Sequence, residues 1–207
     1  MSSSCLFTVS APSGAGKTSL GKALLDKRPD VTACVSHATR DKRPGEVDGE
    51  DYHFVSIDEF ERLVAEDAFL EYAQVFDNYY GTSQKAVEEL LRQGKHVILE
   101  IDWQGALQVK QKLPDTVGVF ILPPSRETLR QRLTDRATDN VTVIERRMAE
   151  ADREMSHYSA AEFLIINDDF EQALYDLDSV IHSQGLTLQR QRLKYPELIA
   201  SIEQENG

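Results

Sequence analysis

The segment that most constrains this chain runs from Leu6 to Leu25. A short apolar, β-type stretch, Leu6 to Ser10, enters a glycine-bearing turn and leaves it with Leu20, Ala23 and Leu24 at helical spacing. The turn reads Ala11-Pro12-Ser13-Gly14-Ala15-Gly16-Lys17-Thr18. The pattern it approaches is the phosphate loop: glycine, any four residues, glycine, lysine, then serine or threonine. Gly14 and Gly16 let the backbone curl so that successive N–H groups aim at phosphate oxygens, and the helix that follows adds its positive end. Lys17 then reaches the β and γ phosphates, and the Thr18 hydroxyl a Mg²⁺ ion. Ala11 stands where the pattern has its first glycine, which alanine can replace if φ is negative there. The plainer alternative is a turn that only caps a helix; the strand before it and the helix after it favour the phosphate loop.

Downstream the chain alternates strand and helix. Val31 to Ser36 reads as a strand, and Thr39 to Asp51 as a long polar loop carrying Pro44, Gly45 and Gly49. Ser56 with Glu59 forms a capping box ahead of a short helix. Strands are expected at Tyr52 to Val55 and Leu70 to Val75, with Asn78 to Thr82 as a turn before a helix from Gln84 to Arg92, which Gly94 ends. His96 to Ile101, Val117 to Leu122 and Phe163 to Ile166 are continuous apolar strands. Helices at Ala106 to Lys112, from Ser125, and from Phe170 to Ile181 separate or follow them. Apolar runs without alternation mean burial on both faces, so the expectation is an α/β domain with a parallel sheet flanked by helices. A small β-rich lobe at about residues 36–85 interrupts it, and the polar stretch Thr134 to Thr142 suits a lid, set within about 126–148. Leu186 to Gly207 reads as one polar helix with a thin apolar stripe. It suits docking on the chain's own core or a homo-oligomer contact.

Composition excludes several classes of function. A chain of 207 residues, 41% hydrophobic and 28% charged, suits one folded unit. Its longest apolar runs fall far short of the roughly 20 residues needed to span a bilayer. The start MSSSCLFTVS has neither a basic n-region nor an apolar h-region, so the cytoplasm is the expected compartment. Cys5 and Cys34 lie in strand-like stretches without metal spacing, which points to two buried free thiols and no structural metal. A net charge of −12 argues against coating nucleic acid. Anionic ligands must then be met by local clusters, and the chain has them at Arg40 and Arg43, and at Arg130, Arg132, Arg136, Arg146 and Arg147.

A phosphate loop says what holds a triphosphate, not what accepts the phosphoryl group. Arg40 and Arg43, joined by a tyrosine hydroxyl, can fork onto one phosphate. Taken alone, that loop also fits plain surface charge beside a turn, and Glu71 taken alone fits a solvated charge.

Five stretches in order and spacing resolve this. They are SAPSGAGK at Ser10 to Lys17, TRxxRPGExxGxDYxF from Thr39 to Phe54, NYYGT at Asn78 to Thr82, DWQG at Asp102 to Gly105 and IND at Ile166 to Asp168. On them the chain resembles the guanylate kinase family, bacterial type, which moves a phosphoryl group from Mg·ATP to GMP. The resemblance implies a phosphate loop of Ala11, Pro12, Ser13, Gly14, Ala15, Gly16, Lys17 and Thr18 for ATP, with Asn167 and Asp168 on the adenine side. It implies Arg40, Arg43, Tyr52 and Tyr80 on the GMP phosphate, and Ser36, Glu71 and Thr82 on the guanine. A carboxylate that accepts from both N1–H and the exocyclic amine separates guanine from adenine. Asp102 would lie near the acceptor with Arg40 as its partner, and Glu100 or Asp102 would help to order Mg²⁺ through water. Lys17, Arg132, Arg136 and Arg147 would offset charge on the transferring group. Ala137 follows Arg136 where relatives usually carry glycine. Asp169 could equally cap the next helix.

Two other readings share these features. Another small-molecule kinase on the same fold, such as a ribose 1,5-bisphosphate phosphokinase, would have no need of Glu71 or Thr82. A non-catalytic guanylate-kinase-like interaction module would not need Lys17 and Thr18. Use of dGMP beside GMP is left open by the sequence.

Overall fold

Leu6–Ser10 is buried along its whole length, and a strand apolar on both sides belongs inside a sheet covered on both faces. The computed structural model describes residues 4–75, 77–135 and 141–205, and meets that requirement. In chain order the elements are β1 (Leu6–Ser10), α1 (Lys17–Lys27), β2 (Val31–Ala33), β3 (His37–Ala38), β4 (His53–Phe54), α2 (Ile57–Ala65), β5 (Phe69–Val75), β6 (Asn78–Ser83) and α3 (Gln84–Arg92). There follow β7 (His96–Glu100), α4 (Trp103–Lys112), β8 (Val117–Leu122), α5 (Arg126–Asp135), α6 (Val141–Met155), β9 (Phe163–Ile166), α7 (Phe170–Gly185), α8 (Leu188–Lys194) and α9 (Pro196–Glu205). One sheet is five-stranded with order β2-β7-β1-β8-β9, and every pairing in it is parallel. The other is four-stranded and mixed, with order β4-β3-β6-β5.

The parallel sheet has a core on each face. Phe7, Val9, Ile98 and Ile121 pack with Leu20 and Leu24 of α1 and Leu177 of α7. On the opposite face Leu6, Val97 and Leu99 pack with Val87 of α3 and Val109 of α4. Leu70 of β5 joins that second cluster at 1% exposure, so the mixed sheet is anchored in the main core. Truncating such a side chain to alanine costs about 2–5 kcal/mol. A separate cluster of Leu129, Leu133, Ile144, Met148 and Ala151 ties α5 to α6. Cys5 and Cys34 are buried and unbridged. No helix among the described residues is long and apolar enough to cross a membrane.

Local signals held where the chain itself closes the contact. Ser56 accepts from Glu59 N at the start of α2, Gly94 ends α3 with φ 83°, and Asp169 caps α7 by accepting from Gln172 N. Four expectations are corrected. Asn78 to Thr82 is a strand, not a turn: Val75 pairs with Asn78, so the reversal precedes Asn78, and β6 is hydrogen-bonded to β5 and β3 on either side. Gly81 bends nothing; a Cβ there would stand 3.1 Å from both Phe60 and Phe69, so glycine lets the two rings close over the strand. The strand from Val31 ends at Ala33, because the chain then crosses to the second sheet. The helix expected at Ala106 starts at Trp103, since Asp102 caps it. The C-terminal segment is two helices, because Pro196 has no N–H to continue α8 and holds Tyr195 in a non-helical conformation. Arg136 and Ala137 lie outside the described residues.

Candidate active site

The phosphate loop leaves the carboxyl end of β1 and becomes α1. Gly14 and Gly16 have φ of 91° and 97°, values closed to most side chains, and Gly16 is the N-cap of α1. Contact adds to conformation at both. A Cβ on Gly14 would meet Leu129 and Leu133 of α5 at 3.0 Å, and one on Gly16 would meet Asn167 Nδ2 at 2.3 Å. Ala11 is tolerated for the expected reason: among the described residues Asp67 is the non-glycine with positive φ. Ala15 N donates to Pro12 O at 3.0 Å and Asn167 Nδ2 donates to Ala15 O at 2.7 Å, closing the curl from both ends.

Lys17 projects from α1 into a ring of acids. Its Nζ donates to Ile101 O at 3.4 Å. Burial pushes its pKa down, and the charges of Glu100, Asp102, Glu154 and Glu71 push back. The Glu100 carboxylate, raised by burial, is hydrogen-bonded to the Thr18 side chain. A Cβ at Gly21 would stand 2.1 Å from Glu100 Oε1, so the helix makes room for that carboxylate. Thr18 and Glu100 thus offer the hard oxygen donors that Mg²⁺ takes. The described residues form no cage of three or more His, Cys, Asp or Glu side chains. One hydroxyl and one carboxylate fit an ion that arrives on a nucleotide's phosphates.

Beside the loop is a cavity of about 310 Å³ lined at one end by Ser13, Gly16, Lys17 and Thr18 and at the other by Ser36, Arg40, Arg43, Tyr52, Glu71 and Tyr80. At its far end Ser36 Oγ and Thr82 Oγ1 are 3.0 Å apart, and Thr82 Oγ1 donates to Glu71 Oε1 at 2.5 Å. Glu71 is 3% exposed and faces Thr82 across the β5–β6 pairing. Burial pushes its carboxyl up to about 7, against the Thr82 hydrogen bond. Its second oxygen is admitted by Gly105, where a Cβ would stand 2.5 Å from Glu71 Oε2. That gives the glycine of DWQG a reason the sequence alone did not supply.

Nearer the loop, Arg40 lies over the Tyr52 ring at 5.0 Å from its centroid, and the Tyr52 and Tyr80 rings meet edge-on at 5.9 Å. The expected pairing of Arg40 with Asp102 is not made. Arg40 Nη1 and Nη2 donate to Glu46 Oε2 and Oε1 at 2.7 and 2.6 Å, a bidentate fork with a carboxylate six residues away. Glu46 also accepts from Arg43 N at 2.8 Å, and its carboxyl is lowered to about 2 by the Arg40 hydrogen bonds. Asp102 instead accepts from Gly105 N at 2.8 Å as the cap of α4, where the helix's positive end stabilises a carboxylate. Glu46 was missed as a site residue, although the RxxRPGE spacing was its signal.

A second cavity of about 360 Å³ opens on the other side of Gly14 and Gly16 and is lined by Ser19, Arg132, Asp135, Asn167, Asp168 and Phe170. Arg132 Nη2 donates to Asn167 O at 3.0 Å, and its Nη1 is buried with no hydrogen-bond partner among the described residues. Arg147 of α6 reaches the loop, with Nη2 donating to Ser13 Oγ at 3.2 Å. Arg130 is paired with Glu145 on the exposed face, as a solvated helix side requires. The structure thus gathers Lys17, Thr18, Arg132, Arg147 and Asn167 at the loop, and Ser36, Arg40, Glu71, Tyr80 and Thr82 in the neighbouring lobe.

Known proteins match this chain over nearly its whole length. The family model for guanylate kinase matches residues 4–184. A guanylate kinase of Methylococcus capsulatus is 54% identical over 202 residues, covering 98% of this chain and 99% of its own. One of Shewanella oneidensis is 58% identical over 183 residues, 88% of either chain. The crystal structure of guanylate kinase from Anaplasma phagocytophilum superposes with a TM-score of 0.77 at 30% identity, over 96% of this chain and 97% of that one. On the extent of these matches, the chain belongs to the guanylate kinase family.

Proposed function

We propose that this chain transfers the γ-phosphoryl group of Mg·ATP to GMP, yielding ADP and GDP. The observation that carries the reading is the hydrogen-bonded chain Ser36–Thr82–Glu71, closed off at the far end of a cavity whose near end is the phosphate loop. Guanine offers two adjacent donors, and a buried carboxylate accepts both; adenine would leave it unpaired. ATP's phosphates lie on the loop amides and Lys17, with the adenine side toward Arg132, Asn167 and Asp168. The GMP phosphate lies between Arg40, Arg43, Tyr52 and Tyr80. Glu46 holds Arg40 over the Tyr52 ring through Nη1 and Nη2, so the guanidinium is placed before substrate arrives.

No general base is needed, because the attacking oxygen already belongs to a phosphate anion. The residues align the two anions and offset the charge that builds on the transferring group. Lys17, Arg132 and Arg147 supply positive charge from three segments, α1, α5 and α6. Thr18 and Glu100 would hold the Mg²⁺ that comes with ATP, which would supply positive charge against the phosphates. The mixed sheet serves as the acceptor lobe, and α5 with α6 as the lid that excludes water. Work in the cytoplasm accords with two unbridged thiols.

The test is ADP release with Mg·ATP and each of GMP, AMP, CMP and UMP. Turnover on GMP alone is expected. Comparable turnover on AMP, or none on any nucleotide, would refute the assignment.

A further inference from the structure

The helix α6 reaches the phosphate loop twice, at one residue, with opposite charges. Arg147 Nη2 donates to Ser13 Oγ at 3.2 Å, and Ser13 N donates to Glu154 Oε2 at 3.1 Å. The two side chains are seven residues apart, two helical turns, which puts them on one face of α6. Glu154 lines the same cavity as Lys17, Glu100 and Asp102, and its charge acts on Lys17. Just beyond it, His157 stacks on Trp103 with ring centroids 3.5 Å apart and planes 7° from parallel, holding the end of α6 to the start of α4. A side-chain carboxylate therefore sits on an amide of an anion-binding loop, within range of the loop lysine. The kinase reading gives Glu154 no part in binding or transfer.

We infer that Glu154 is a positioning residue that competes with the terminal phosphate of ATP at Ser13, so that ATP enters only by displacing it and α6 responds to the third phosphate. The inference rests on the kinase reading of the same site. Two anions cannot share one amide and one lysine without repulsion, whereas Arg147, on the same helix face, is attracted to the incoming phosphates. ATP brings negative charge to the Lys17 end of the cavity, where Glu154 stands. ADP is one phosphate shorter and leaves Glu154 its place on Ser13. Loss of the γ-phosphoryl group would then let the carboxylate return, and the position of α6 would distinguish the triphosphate state from the diphosphate state.

The experiment uses the full chain. Dissociation constants for Mg·ATP and Mg·ADP are measured by calorimetry for wild type, Glu154→Gln, which keeps the shape and removes the charge, and Glu145→Gln, which removes a charge from the exposed side of the same helix. Glu154→Gln is expected to tighten ATP about tenfold and ADP less than about threefold, with Glu145→Gln leaving both within about twofold. In steady state the KM for ATP falls with that for GMP unmoved. An equal change for both nucleotides, or weaker ATP binding, would overturn the inference. A wild-type protein that binds no ATP would instead overturn the kinase reading. A second readout needs no variant: Trp103 is the single tryptophan, and its emission on His157 is expected to change on ATP addition and to change far less with ADP. Identical responses to the two nucleotides would also sink the idea.

Discussion

In the proposed function the two ends of the main cavity bind anions by different means. At the phosphate loop the cradle is backbone, built by eight consecutive residues whose geometry follows from Gly14 and Gly16 at φ of 91° and 97°. In the acceptor lobe the cradle is side chain, assembled from Ser36, Arg40 with Glu46, Glu71 and Thr82, and given space by Gly105 of a different sheet's helix. The electrostatics are opposed as well. Burial weakens the hold of Lys17 on its proton and strengthens that of Glu71. A contiguous backbone site tolerates change in every side chain that does not enter it, whereas an assembled site depends on supports that touch no substrate.

Variants can break this contrast, the largest first. Lys17→Ala removes the loop cation proposed to meet the phosphates and is expected to lower kcat by about a thousandfold or more, the scale of a lost transition-state cation. Near wild-type turnover would remove Lys17 from the mechanism. Gly105→Ala sets a methyl group 2.5 Å from Glu71 Oε2. It should raise the KM for GMP by about a hundredfold, the cost of displacing a buried hydrogen-bonding partner, with the KM for ATP unchanged. If both constants moved together, the two ends would not be separable. Glu46→Ala frees the Arg40 fork without touching substrate, and about a tenfold rise in the KM for GMP at constant kcat is expected.

Acidity sharpens the same contrast. On the proposed reading guanine's donors require ionised Glu71, whose carboxyl is pushed up to about 7 by burial. The KM for GMP should therefore rise as pH falls below 7, by up to about tenfold per unit. GMP's own phosphate protonates near pH 6; Glu71→Gln isolates that contribution, and its profile should be the flatter. The folded state holds the Glu71 proton more tightly than the unfolded chain, so this residue's contribution to stability falls as pH rises from 4.5 to about 7. Glu71→Gln should then melt higher than wild type at pH 8, with the gap closing below pH 4.5. At the other extreme Ala11→Gly, at a negative φ, should change the KM for ATP less than about twofold and cost at most about 1 kcal/mol of stability.

Legibility in the sequence follows the same division. The loop could be read because its function lies in the spacing of neighbours, and the parallel sheet because β1, β7 and β8 are apolar without alternation. The acceptor pocket could not be built from local pattern. Glu71 looks like any surface acid until β5 pairs with β6 and buries it, and only family resemblance singled it out. Arg40 was assigned a distant partner when the nearer Glu46 offered both oxygens. NYYGT reads as a turn in the sequence, whereas in the structure it is a strand in which Gly81 lets Phe60 and Phe69 approach. Glu154 left no trace in the motifs, since it meets Ser13 across 141 residues of chain.

The central claim is that Glu71 reads guanine, and the most direct test compares GMP with IMP, which keeps N1–H and lacks the exocyclic amine. The ratio of kcat/KM for GMP over IMP is measured in wild type and in Glu71→Gln. Wild type should favour GMP by about a hundredfold, the scale of one unpaired hydrogen bond to a charged group, and the variant by less than about tenfold. An unchanged ratio would mean that the guanine is recognised elsewhere and that the buried carboxylate serves the fold alone.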